Sequence, residues 1–188
     1  MTDSILFMAL GALVVLTLFW AKARFWSFQS QKPEDYAFGR PQFDLREHLN
    51  GPILCEGVIY GPLGRVTSRF IGKFEARWDG NRGVMREHFI YDSGATQDRE
   101  WRLELGNDGR IKADADDLVE PGQGQMTGSA VQLRYRIRLP EESGGHVLDT
   151  VDWMYLAPNG TVMNRSQFRK FGIPVAELVA TMRKVDAA

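Results

Sequence analysis

The chain has 188 residues, 44% of them hydrophobic and 25% charged, which is ordinary globular material with room for one domain and a short appendage. Its 23 basic and 24 acidic residues leave a formal charge of -1, so it lacks the basic excess that phosphate contacts require and no nucleic-acid partner is expected. Cys55 is the single cysteine, which excludes an internal disulfide and a cysteine-based metal cluster; within "PILCEGVIYG" it reads as a small buried strand residue.

The first element is the uncharged run Ile5 to Trp20, "ILFMALGALVVLTLFW". As a helix it spans about 24 Å, and the following "AKARFW" extends it toward the roughly 30 Å of a hydrocarbon core. Lys22 and Arg24 can snorkel there, with Phe19, Trp20, Phe25 and Trp26 as an aromatic belt. Residues 1–28 are therefore predicted to be a single-pass, uncleaved transmembrane anchor. A signal peptide is the alternative, with Ala21-Lys22-Ala23 as a formal cleavage site, although "MTDS" supplies no basic leader and Trp20 crowds the site. Lys22, Arg24 and Lys32 all follow the apolar run, which places the rest of the chain on the cytoplasmic side of the inner membrane by the positive-inside rule; export to the periplasm is the alternative. The polar, proline-containing "QSQKPEDYAFGRP" within residues 29–42 is expected to be a linker holding residues 43–188 away from the bilayer.

From Pro52 onward, turn signals recur between segments of strand length. In "SAVQLRYRIRL", Val131, Leu133, Tyr135, Ile137 and Leu139 alternate with Gln132, Arg134, Arg136 and Arg138, and "RVTSRFIGKFEARW" alternates similarly. Serial hairpins without an intervening helical pattern predict a mainly β fold, an antiparallel up-and-down barrel of about 8–9 strands, with a two-sheet sandwich as the competing arrangement. "VAELVATMRKV" is assigned to the closing strand, and the glycine-rich "PGQGQMTG" to a wide turn.

The segments "REHFIYDSGATQDREWRL", "GSAVQLRYRIRLP" and "VDWMYLAPNGTVMNRSQFRKFG" resemble those of an uncharacterised bacterial domain-of-unknown-function family, over roughly Phe43 to Lys184. The resemblance implies a small lipocalin-like, calycin-type barrel, usually exported and often lipid-anchored, with no established activity. This chain departs from that pattern in having a hydrophobic segment where such proteins have a lipoprotein cysteine.

Candidate site residues are polar groups on otherwise apolar faces. Glu87 shares a face with Phe89 and Tyr91, and Arg99 shares one with Trp101; if the two strands are neighbours, Glu87 and Arg99 can pair inside, either as a structural ion pair or as part of a ligand site. His48, His88 and His146 are scattered, which argues against zinc, and the acidic "DADD" lacks the rest of a calcium loop. No cofactor is indicated. A turn at "APNG" would set Trp153 opposite Arg165, Met154 opposite Asn164 and Asp152 opposite Ser166. Both faces of that hairpin mix apolar and polar side chains, so one is expected to line the barrel and the other to meet the amino-terminal segment, the membrane or a partner.

These features predict a non-catalytic, membrane-anchored, lipocalin-like domain that binds a lipid or another apolar or amphiphilic small molecule. Trp101, Tyr135, Trp153 and Tyr155 would form its wall, and Arg99 or Arg165 would meet an anionic head, with Glu87, Tyr91, Asp152 and Asn164 nearby. The alternatives are a lipid-modifying enzyme using Glu87 or Asp152 as acid or base, and an accessory subunit of a membrane-bound lipid enzyme, partnered by a protein of lipid metabolism.

Overall fold

Period-two alternation gives each strand one apolar row, and closing the sheet is the way to bury all of these rows together. In the computed structural model, which describes residues 2–185, ten antiparallel strands form: β1 (Gly51–Tyr60), β2 (Val66–Asp79), β3 (Arg82–Tyr91), β4 (Thr96–Leu105), β5 (Arg110–Asp114), β6 (Gly122–Thr127), β7 (Ala130–Arg138), β8 (Val147–Leu156), β9 (Val162–Lys170) and β10 (Ile173–Lys184). Each pairs with its neighbour in sequence, and β10 returns to β1 to close the barrel. The inward row includes Ile53, Cys55, Phe74, Met85, Trp101, Leu133, Met154 and Met182, all buried. The outward row carries cross-strand ion pairs such as Arg86 with Glu100 at 2.9 Å and Arg183 with Glu56 at 2.9 Å, exposed contacts that contribute about 0–1 kcal/mol each.

The barrel is thus the expected fold, with "VAELVATMRKV" as its closing strand, but it has more strands than the expected 8–9 because "PGQGQMTG" is not a wide turn. Its residues form β6, where a Cβ at Gly124 would lie 2.2 Å from the Gln132 carbonyl oxygen and one at Gly122 would lie 2.8 Å from the Tyr135 Cβ. The glycines permit close backbone approach within the sheet.

The two barrel ends differ. At one end, helix α2 (Leu45–His48), capped by the Asp44 carboxylate accepting from the Arg46 amide, drives Phe43, Leu45 and Leu49 into the core as a plug. The Trp78 indole fixes that plug by donating to the Leu49 carbonyl at 2.8 Å. At the other end, the inward residues Ile59, Phe89, Tyr91, Ile137, Phe168 and Leu178 are only half-buried, which makes this the open end.

Ahead of the barrel, helix α1 (Thr2–Phe25) exposes its apolar side chains, and its stretch Asp3–Lys22, mean hydropathy 2.3, is long and apolar enough to cross a membrane. The segment expected to be a spacer instead lies on the barrel as a strap. Its two short turns, Phe28–Ser30 and Pro33–Tyr36, cover Val151, Trp153 and Tyr155 on the outside of β8. Aromatic side chains within the strap supply the packing surface that its polar and proline content conceals.

Candidate functional site

Inward side chains from eight of the ten strands, all but β5 and β6, converge on a cavity of about 120 Å³ in mid-barrel, lined by apolar groups and by Glu87, Arg99, Tyr135, Asp152, Asn164 and Ser166. The registers that produce this cluster are Glu87 opposite Arg99 and Asp152 opposite Ser166. Arg99, 13% exposed, reaches Asp117 in the β5–β6 loop with a two-pronged contact, Nε to Oδ2 at 2.7 Å and Nη2 to Oδ1 at 3.0 Å. Its guanidinium also lies 4.0 Å from the centre of the Trp101 ring. Glu87, 7% exposed, is only at the margin of an ion pair with Arg99, its Oε2 lying 4.0 Å from Nη1. The expected interior pair is therefore present in register, but Asp117 takes the strong contact.

Asp152 is held by three donors: the Ser166 hydroxyl at 2.8 Å, the Asn164 amide, and the Tyr135 hydroxyl at 3.5 Å. The surface it retains faces the cavity rather than bulk water, so burial raises its carboxyl above the ordinary range, with the Ser166 and Asn164 bonds opposing that rise. Burial is also the leading cause for Glu87, whose carboxyl is raised to about 7 although Arg99 opposes the shift; the charges of Asp152 and Asp117 add to it. Burial likewise pushes up the Tyr135 hydroxyl and the Cys55 thiol. Taken together, three carboxyl groups share one guanidinium, and that guanidinium is already engaged.

From Phe74, level with Glu87, toward the open end, Phe70, Phe74, Phe89 and Tyr91 pack edge to face or stacked, with Phe70 and Phe89 centroids 5.4 Å apart. The Tyr91 hydroxyl donates to Gln97 at 2.8 Å. A larger hollow of about 890 Å³, to which β2, β3 and β4 contribute most of the lining, shares Glu87 and Arg99 with the central cavity; Arg86 and His88 within it already pair with Glu100 and Asp98.

Of the residues singled out in the sequence, Glu87, Arg99, Trp101, Tyr135, Asp152 and Asn164 come together around the cavity, with Tyr91 above them. Trp153, Tyr155 and Arg165 do not. The expected turn register is present, Trp153 opposite Arg165, but both point outward because Asp152, Met154, Asn164 and Ser166 occupy the inward row. Trp153 and Tyr155 stack beneath Tyr36, and the Tyr155 hydroxyl donates to Gln31 at 2.8 Å. Arg165 lies 4.5 Å from the Phe28 ring and pairs with Glu177 at 2.6 Å, so its cation–π partner belongs to the strap. The residue missed in sequence was Asp117, which ends the "DADD" run set aside for lacking the rest of a calcium loop. Ser166, opposite Asp152 in the expected register, was the signal for its role as a donor.

A closed antiparallel barrel, plugged at one end and carrying a buried polar cluster at its centre, places this protein among the lipocalin-like, calycin-type barrels. Residues 23–184 match the family described as protein of unknown function (DUF3833), and the chain belongs to that family. Among solved structures, an S-type phycobiliprotein lyase, CPES, from Guillardia theta is similar at 10% identity and a TM-score of 0.59, covering 84% of this chain and 99% of that one. A protein with a YmcC-like fold from Bacteroides fragilis is similar at 10% identity and a TM-score of 0.38, covering 79% of this chain and 100% of that one. No curated protein sequence matches.

Proposed function

We propose that this protein is a non-catalytic binding barrel, held at the inner membrane by α1, that takes a lipid or another amphiphilic small molecule into its interior. The carrying observation is the cavity: apolar walls around a buried polar centre, plugged by α2 at one end and covered at the other only by half-buried side chains. About 120 Å³ is less than the roughly 300–1,000 Å³ of drug-sized ligand sites, so a lipid chain would enter by displacing side chains near the mouth, Phe70, Phe89 and Tyr91 first. With Arg99 taken by Asp117, the arrangement argues against an anionic head and favours an uncharged or hydrogen-bond-donating one.

The test is mass spectrometry of solvent extracts from the full chain purified out of membranes. An amphiphile should be recovered in constant proportion to protein and fall in Leu133→Phe, which narrows the cavity, while a thermal-melting control shows that this variant folds. Absence of any co-purifying amphiphile, together with no rise in Tm on adding candidate lipids, would reject the reading. A lipid-modifying enzyme is the second reading, favoured by a Glu87 carboxyl at about 7, where acid–base exchange is efficient near neutral pH. It requires that the extracted lipids differ chemically between the wild type and Glu87→Gln.

A further inference from the structure

The open rim carries apolar side chains on two hairpins that the seam between β1 and β10 brings side by side, where Tyr60 pairs with Glu177. Leu63 in the β1–β2 loop is 86% exposed, Phe171 at the β9–β10 turn 90%, and the adjacent Ile173 65%. The turns at the plugged end, "DGN" at Asp79, "GNDG" at Gly106 and "PNG" at Pro158, are polar.

Phe171 is also costly where it stands. Lys170 pairs with Ile173 across a two-residue turn in which Phe171 has φ +51 and Gly172 φ +78. A turn with both φ values positive favours Asn or Asp followed by Gly, and a bulky aromatic in the left-handed region is unfavourable. A strained, exposed phenylalanine at a hairpin tip points to a task for its ring. Basic groups accompany it: Arg65 is exposed on the neighbouring hairpin, and Lys170 Nζ lies 5.6 Å from the Phe171 ring centre.

The strap indicates which surface the rim meets. Gln29 donates to Gln167 at 3.0 Å, and Gln167 is three residues, or about 10 Å of strand, from the end of β9 at the open rim. Trp26, at the aromatic end of the apolar helix, precedes Gln29 by three residues and lies within about 11 Å of chain reach. The helix end and the rim can therefore touch one plane, and the strap then runs away from it toward the plug.

We propose that the open rim rests on the bilayer that holds α1, with Leu63, Phe171 and Ile173 entering the boundary between headgroups and acyl chains, so that the barrel mouth opens onto lipid. This rests on the membrane-anchored reading above. The test uses the full chain reconstituted into vesicles of phosphatidylcholine and phosphatidylglycerol carrying brominated acyl chains. An environment-sensitive nitrobenzoxadiazole label is placed at Phe171→Cys or Leu63→Cys on the rim, at Asn159→Cys on the plugged end, and at Leu16→Cys in α1. Cys55 is buried and should not compete for label in the folded protein. The rim labels and the Leu16 label should be quenched at least twofold by brominated lipid, and the Asn159 label left unchanged. If Leu16 is quenched while the rim labels behave like Asn159, the rim inference is wrong and the anchor stands. A rim label that shifts with protein density but ignores bromine would assign the surface to a second copy of the chain and overturn the proposal. If Leu16 is not quenched, the anchor fails and the inference falls with it.

Discussion

Glu87 holds a carboxyl inside the barrel with only marginal help from Arg99, and this has a definite pH signature. Its folded value, about 7, is above the ordinary 4.5, so the folded state binds the proton more tightly than the unfolded chain does. Glu87's contribution to stability is therefore fully present below about 4.5, is lost as pH rises through about 7, and has an upper scale of about 3 kcal/mol. Glu87→Gln should flatten this part of the curve and melt higher than the wild type at pH 8; parallel Tm-against-pH profiles for the two proteins would show the assignment to be wrong. Trp153 gives a second test at this scale. Its indole N–H is buried without a hydrogen-bond partner among the described residues, whereas its ring packs against Tyr36 and Tyr155. Trp153→Phe keeps a ring and removes the orphan donor, so it should cost less than about 1.5 kcal/mol, against about 3–5 kcal/mol for Trp153→Ala. Urea denaturation separates these values, and equal costs would mean that the N–H has a partner.

At the scale of elements, the strap makes the outside of β8 part of the interior. Tyr36→Ala should destabilise by about 2 kcal/mol through lost ring contacts, and Arg165→Met by less than about 1 kcal/mol, since its pair with Glu177 is partly exposed. A Tyr36→Ala variant as stable as the wild type would mean that the strap does not pack in solution. The strap also explains what the sequence could and could not reveal. Alternation exposed β2 and β7 because their outer rows are charged, and turn chemistry yielded the β8–β9 register correctly. It could not tell which row of that hairpin faced inward, because Trp153 and Tyr155 lie under the strap and are as apolar as core residues. Glycine concealed β6 for a related reason, since the residue type that marks a turn is also the one that lets two backbones approach within a sheet. The Glu87 and Arg99 pairing was legible from face and spacing, but Asp117 was not, because its role depends on a loop folding back over the barrel.

For the whole molecule, the placement of Lys22, Arg24 and Lys32 after the apolar run predicts orientation. A reporter fluorescent only in the cytoplasm, fused after Ala188, should be bright, and a phosphatase active only outside should be silent. The reverse pattern would place the barrel in the periplasm and leave the reading of its interior untouched. Attachment through α1 should survive high-salt washing of membranes, because screening weakens exposed charge contacts and leaves hydrophobic burial intact.

Closure of β10 on β1 sets a schedule for folding. Ile53 pairs with Lys184, 131 positions further along the chain, so the last seam cannot form until β10 has been synthesised. At about 5–20 residues per second that wait is on the order of ten seconds, during which β1 has an unpaired edge beside whatever surface has captured α1. A chain ending at Gly172 should therefore give no soluble intermediate with a nearly finished barrel. It would leave β1 and β9 as two permanent free edges, and aggregation through them, rather than loss of a few contacts, should be what removes such a truncated protein from the cell.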